Sequence, residues 1–87
     1  MRSNLLYFYG EDCPDCIRMQ ARLARLEKEE GIAVTHLEVW NNKENDELCM
    51  KYDKDNTCGG VPFFINTDNN ETLCGEVTYK ELKEWAR

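Results

Sequence analysis

The first apolar run, residues 4–9 with Leu5, Leu6, Tyr7, Phe8 and Tyr9, is nearly unbroken. That is the pattern of a central strand buried on both faces. Gly10-Glu11-Asp12 breaks it. From Cys16 the period changes: Cys16, Met19, Leu23 and Leu26 recur at helical spacing, widened by Ile17, Ala21 and Ala24. Arg18, Arg22 and Arg25 gather on another face, and Gly31 ends the helix. The arginine face is expected to meet water, although Arg18, one turn past the cysteines, is also placed to touch a substrate.

Residues 33–40 alternate, with Ala33, Thr35, Leu37 and Val39 on one side and Val34, His36, Glu38 and Trp40 on the other. This predicts a second, more edge-like strand, parallel to the first through a right-handed crossover. His36 is expected on its outer face, away from the thiols, and Trp40 in core or rim packing. Asn41, with Glu44 three residues on, is placed to cap a second helix whose Leu48, Cys49 and Tyr52 share a face. A polar loop and Cys58-Gly59-Gly60 lead into Val61-Pro62-Phe63-Phe64-Ile65, and a polar turn leads to Thr72-Leu73-Cys74, a hairpin pattern. Pro62 opens its strand, where a missing N–H is tolerated. Thr78 with Glu81 at the third position reads as a capping box, Val77 and Leu82 as a staple, and Leu82, Trp85 and Ala86 as the buried stripe.

Eighty-seven residues suffice for one domain, 1–87, with a thin core. The formal net charge of −6 argues against nucleic acid and anionic membrane surfaces as partners. The N-terminal apolar run is too short for a secretory leader or a membrane span, so a cytoplasmic location is expected.

The chemistry concentrates at Cys13-Pro14-Asp15-Cys16, where the first strand gives way to the helix. A thiol there meets unpaired backbone N–H groups and the positive end of the helix dipole, which favour its thiolate. Pro14 fits the first helical position because its missing N–H has no helical acceptor. Five cysteines is an odd number, so a purely structural disulfide framework leaves one unpaired. Cys58, four positions before Pro62, is a candidate accessory thiol within reach of Cys13 or Cys49, with a Cys49–Cys58 disulfide as one arrangement. Cys74 reads as buried apolar filler.

The order βαβαββα, with Cys13-Pro14-Asp15-Cys16 after the first strand, Val61-Pro62 before the third and Gly75 ending the fourth, resembles the thioredoxin superfamily. The short chain, lacking an extra N-terminal strand and helix, resembles its glutaredoxin branch. The resemblance covers nearly the whole sequence. It implies an α/β, thioredoxin-like fold: a four-stranded mixed sheet with three helices. It also implies a thiol–disulfide oxidoreductase with Cys13 as exposed nucleophile and Cys16 as buried resolving thiol. The substrate would lie along Pro14, Asp15, Val61 and Pro62, with a cis bond before Pro62 and the Val61 backbone hydrogen-bonding the incoming chain.

The sequence departs from this pattern in ways that bear on substrate. No acid lies within residues 4–10 to act as a buried proton acceptor. The dipeptide is Pro-Asp rather than Pro-Tyr, and Glu11 and Asp12 stand where a basic residue is usual. Gly75-Glu76-Val77 lacks the Gly-Gly and Asp pattern that grips glutathione. Carboxylates near Cys13 would repel that anionic tripeptide, making glutathione doubtful as co-substrate, and no cofactor is expected. They also oppose the helix start, so a modestly depressed Cys13 pKa and a reducing couple are expected. The expected partners of this monomer are a protein or low-molecular-weight disulfide and an unidentified reductase or thiol donor. One rival is a metal or iron–sulfur carrier using Cys13, Cys16 and Cys58. Another is an interaction module with vestigial thiols. No metal site is assigned.

Overall fold

Strand β1 (Leu5–Tyr9) runs through the interior of a four-stranded sheet whose order is β2-β1-β3-β4. The computed structural model describes residues 4–87. In that span β2 is Thr35–Glu38, β3 Phe63–Asn66 and β4 Glu71–Cys74; α1 (Pro14–Glu30) connects β1 to β2, α2 (Lys43–Tyr52) lies between β2 and β3, and α3 (Tyr79–Trp85) follows β4. β2 pairs parallel to β1, while β3 pairs antiparallel to β1 and to β4. The mixed sheet and three helices agree with the fold class expected from the sequence.

Because strand side chains alternate, β1 feeds both sides of the sheet. Leu5 and Tyr7 join Met19, Leu23 and Leu26 of α1 and Leu82 and Trp85 of α3 in one core. Phe8 points the other way, into a second core with Val39, Phe63, Ile65 and Cys49 of α2. The sheet is therefore buried on both faces at β1 and β3, which accounts for their continuous apolar runs.

Boundaries shift by a residue or two from the expected ones, as helix and strand ends commonly do. The second strand is shorter than residues 33–40, although the Val39 N–H still reaches the Tyr9 carbonyl at 2.8 Å. The cap of α2 is Asn42, not Asn41: its side chain accepts from the Asn45 N–H at 3.1 Å. Asn41 instead donates its side-chain N–H to Glu11 Oε2 and its backbone N–H to Glu38 Oε1.

Buried Asn66 fastens the ends of the sheet and of α3 together. Its Oδ1 accepts from the Asn4 side chain at 2.7 Å, and its Nδ2 donates to the Trp85 carbonyl at 3.0 Å. At the other end of α3 the capping box forms as expected, with the Thr78 side chain accepting from the Glu81 N–H and the Glu81 carboxylate accepting from the Thr78 N–H. Thr78→Ala is expected to lower stability by about 1 kcal/mol, which for a domain of this size moves Tm down by roughly 5 °C in a thermal melt.

Candidate functional site

Cys13 is the N-cap of α1, with extended backbone at φ −81° and ψ 114°. Its N–H donates to the Gly10 carbonyl at 3.2 Å, and its sulfur accepts from the Cys16 N–H at 3.2 Å. The sulfur thus occupies the place of a capping oxygen and faces the open amide end of the helix. Cys13 and Cys16 are joined as a disulfide. Cys13 is less open than expected, at 6% exposed, yet it is the more accessible of the pair because Cys16 is 0% exposed.

The segment before β3 closes on this pair. The Val61–Pro62 bond is cis, and the Val61 carbonyl oxygen lies 4.0 Å from Cys13 Sγ. Pro62 is buried, and its carbonyl accepts from the Gly75 N–H at 2.8 Å, tying the segment to the end of β4. Cys13, Cys16, Val61 and Pro62, each expected at the site from the sequence, therefore come together. Pro14 and Asp15 stand exposed on the first turn of α1.

Several contributors escaped the sequence reading. Asp53, in the polar loop before Cys58, is buried, and its two carboxylate oxygens accept from the N–H groups of Cys58 and Gly59, each at 2.9 Å. It holds the loop that leads into Val61-Pro62. Tyr7 lies under α1 with its hydroxyl donating to the Cys16 carbonyl at 2.8 Å. Burial pushes this phenol's pKa upward, with the neighbouring Tyr9 adding to the shift, so it stays a donor. Glu38 gathers the loops beyond β1 and β2: its Oε2 accepts from the N–H groups of Glu11 and Trp40, each at 3.0 Å. Only the Glu38 contacts with Trp40 and Asn41 are local enough to suggest themselves from sequence.

The charged face of α1 does more than meet water. Arg18 pairs with Asp15 and with Glu76, the latter at 2.8 Å, and Arg22 pairs with Glu76 at 2.9 Å. Hydrogen bonding from Arg18, then from Arg22, holds the Glu76 carboxyl below its usual pKa despite some desolvation. Asp15, the carboxylate nearest the pair in sequence, is thus partly offset by a guanidinium. Glu11 and Asp12 have no such cation among the described residues.

Two expectations for the remaining thiols are corrected. Cys58 bonds to Cys74, not to Cys49, and Cys74 is exposed rather than apolar filler. The β3–β4 hairpin sets this pairing, because its register carries Cys74 opposite Phe63 and back towards the loop before Pro62. Cys49 is the buried free cysteine. His36 is exposed as expected, but its ring packs edge-on to Tyr7 with centroids 5.3 Å apart and its Nε2 lies 3.2 Å from Glu27 Oε1. Of the core or rim packing expected for Trp40, the structure shows the rim: it is 57% exposed and rests on Gly10, where an added Cβ would sit 2.3 Å from its ring. No group of three or more His, Cys, Asp or Glu side chains suited to a metal ion occurs among the described residues. No helix among them is long and apolar enough to cross a membrane.

Burial, then the charges of Asp53 and Asp46, push the Cys49 thiol from its ordinary 9.0 up to about 11. Above pH 9 the unfolded chain loses this proton first and so binds fewer protons than the native state. The stabilising contribution, intact below that pH, is lost as pH rises towards 11. Unfolding free energy of the oxidised protein is therefore expected to fall more steeply across this window than that of Cys49→Ala, measured by urea denaturation. Equal slopes would contradict the assignment.

No family model matches the sequence, and no curated protein matches it. Solved structures do. The crystal structure of a glutaredoxin from Archaeoglobus fulgidus superposes with a TM-score of 0.72 at 21% identity, over 98% of this chain and 87% of that one. A point mutant of a thioredoxin-like protein superposes with a TM-score of 0.65 at 16% identity, over 97% of this chain and 95% of that one. These likenesses show that the chain has the thioredoxin-like fold.

Proposed function

We propose that the protein is a thiol–disulfide oxidoreductase that reduces disulfides through the Cys13–Cys16 couple. One observation carries the reading: a disulfide at the amide end of α1, with its more accessible sulfur beside the carbonyl preceding a buried cis proline. The fold likeness to a glutaredoxin and a thioredoxin-like protein supports it.

In the reduced form, Cys13 thiolate attacks one sulfur of a substrate disulfide. A mixed disulfide forms, and the first substrate sulfur leaves as a thiolate that takes up a proton. Cys16, having lost its proton, then attacks Cys13 Sγ, which restores the Cys13–Cys16 bond and frees the second substrate thiol. Two electrons pass to the substrate, and a dithiol donor or reductase must return them.

A thiol with pKa near 8.5 is only about 3% thiolate at pH 7. The Cys16 N–H at 3.2 Å and the helix amides favour the anion, whereas exposed Glu11 and Asp12 oppose it. The balance supports a modest depression of the Cys13 pKa, and with it a couple nearer a reductant than an oxidant. Among the described residues no hydrogen bond uses the Val61 N–H, which supports Val61 as a docking point for an extended substrate backbone.

Cys13→Ser is expected to abolish reduction of insulin and of small disulfides. Cys16→Ser is expected to retain attack and accumulate the mixed disulfide, visible as a mass adduct on non-reducing electrophoresis or in mass spectrometry. Retained turnover in Cys13→Ser would overturn the roles assigned.

A further inference from the structure

Beside the cis-proline segment a cleft of about 190 Å³ opens among Trp40, Asp46, Met50, Gly59, Gly60 and Val61. Val61 is shared with the thiol site, since its carbonyl is the one 4.0 Å from Cys13 Sγ. At the other edge Trp40 rests on Gly10, whose carbonyl accepts the Cys13 N–H. The cleft is therefore linked to the thiol site through Val61 and Trp40.

Its walls have an unusual composition. Three large hydrophobic residues stand exposed among those described, and two of them, Trp40 at 57% and Met50 at 60%, line this cleft. The third, Ile17 at 58%, follows Cys16 directly. Large apolar side chains left in water next to a reactive centre mark a binding surface, and Trp and Met are favoured anchors at such surfaces. No basic residue lines the cleft, whereas Asp46 does, and Glu11, Asp12 and Asp15 stand exposed around Cys13.

The volume is below the roughly 300 Å³ at which small-molecule pockets begin, so it suits a single side chain rather than a whole ligand.

Resting on the redox reading above, we infer that this cleft selects the substrate: a cationic polypeptide segment that seats an apolar side chain on Trp40 and Met50 while its disulfide meets Cys13. The carboxylates draw the basic segment in, and the same charges disfavour an anionic thiol or an acidic peptide. Trp40 then acts as a specificity-determining residue. Gly59 and Gly60, immediately before Val61, add no side chains to the cleft, so a backbone can pass close to Val61.

The test uses two disulfide-bridged peptides that share a leucine beside the half-cystine and differ only in flanking lysines or glutamates. Serine-for-cysteine versions serve as unreactive binding probes. KM for the lysine peptide is expected to be about tenfold below that for the glutamate peptide at low salt, and the gap should shrink as salt is added. Asp46→Lys should narrow the gap several-fold. Trp40→Ala should raise KM for the lysine peptide about tenfold. Met50→Ala should shift it in the same direction, which covers the case in which the Trp40 variant misfolds. The unreactive lysine peptide should perturb Trp40 fluorescence, separable from Trp85 because the latter is buried.

Equal KM values for the two peptides, or wild-type KM in both Trp40→Ala and Met50→Ala, overturn the inference while leaving the redox reading intact. Binding of the unreactive lysine peptide without reduction of the reactive one does the reverse.

Discussion

The rest of the structure depends on a sulfur serving as a helix cap. Cys13 Sγ accepts from the Cys16 N–H just beyond the end of the strand that both cores share. Serine or aspartate would satisfy the amide at least as well and could not exchange electrons. One local geometry both caps the helix and would favour the thiolate that the proposed chemistry requires. Tyr7 reinforces it from below by donating to the Cys16 carbonyl. β1 therefore fixes both the start of α1 and the backbone of its first turn.

The opposite side of the site is held by two different kinds of bond. Asp53 gathers the N–H groups of Cys58 and Gly59, and Cys58 is itself bonded to Cys74 on β4. Closing a loop of this length stabilises by about 3 kcal/mol in a chain-entropy treatment. Hydrogen bonds to a carboxylate contribute roughly 1.5–3 kcal/mol each. The covalent and polar clamps are thus of similar size. Both act on the few residues that lead into Val61 and Pro62, where positive φ at Asp55, Asn56 and Gly59 already narrows the path.

What the sequence disclosed is what local physics determines. The strand–helix junction at Cys13, the proline in the first turn, the capping box at Thr78 and the order of the elements all rest on neighbours within a few positions. The cis bond at Pro62 came through resemblance, not through residue pattern. What stayed hidden depends on register between distant segments. Cys74 reaches Cys58 only because the β3–β4 turn places it there, so counting cysteines could not choose among their partners. Asp53 lies in a run of polar residues and looks solvated until the chain folds back over it. The arginine face of α1 looked like a surface stripe because Glu76 lies more than fifty positions away.

The two disulfides also give the molecule an uneven capacity for electrons. At two electrons each, the Cys13–Cys16 and Cys58–Cys74 bonds take up four, and complete reduction yields five thiols, counting Cys49. The cycle proposed for the helix cap would move only half of that charge. The remainder sits in the Cys58–Cys74 strap, which ties the loop before the proline to the end of β4.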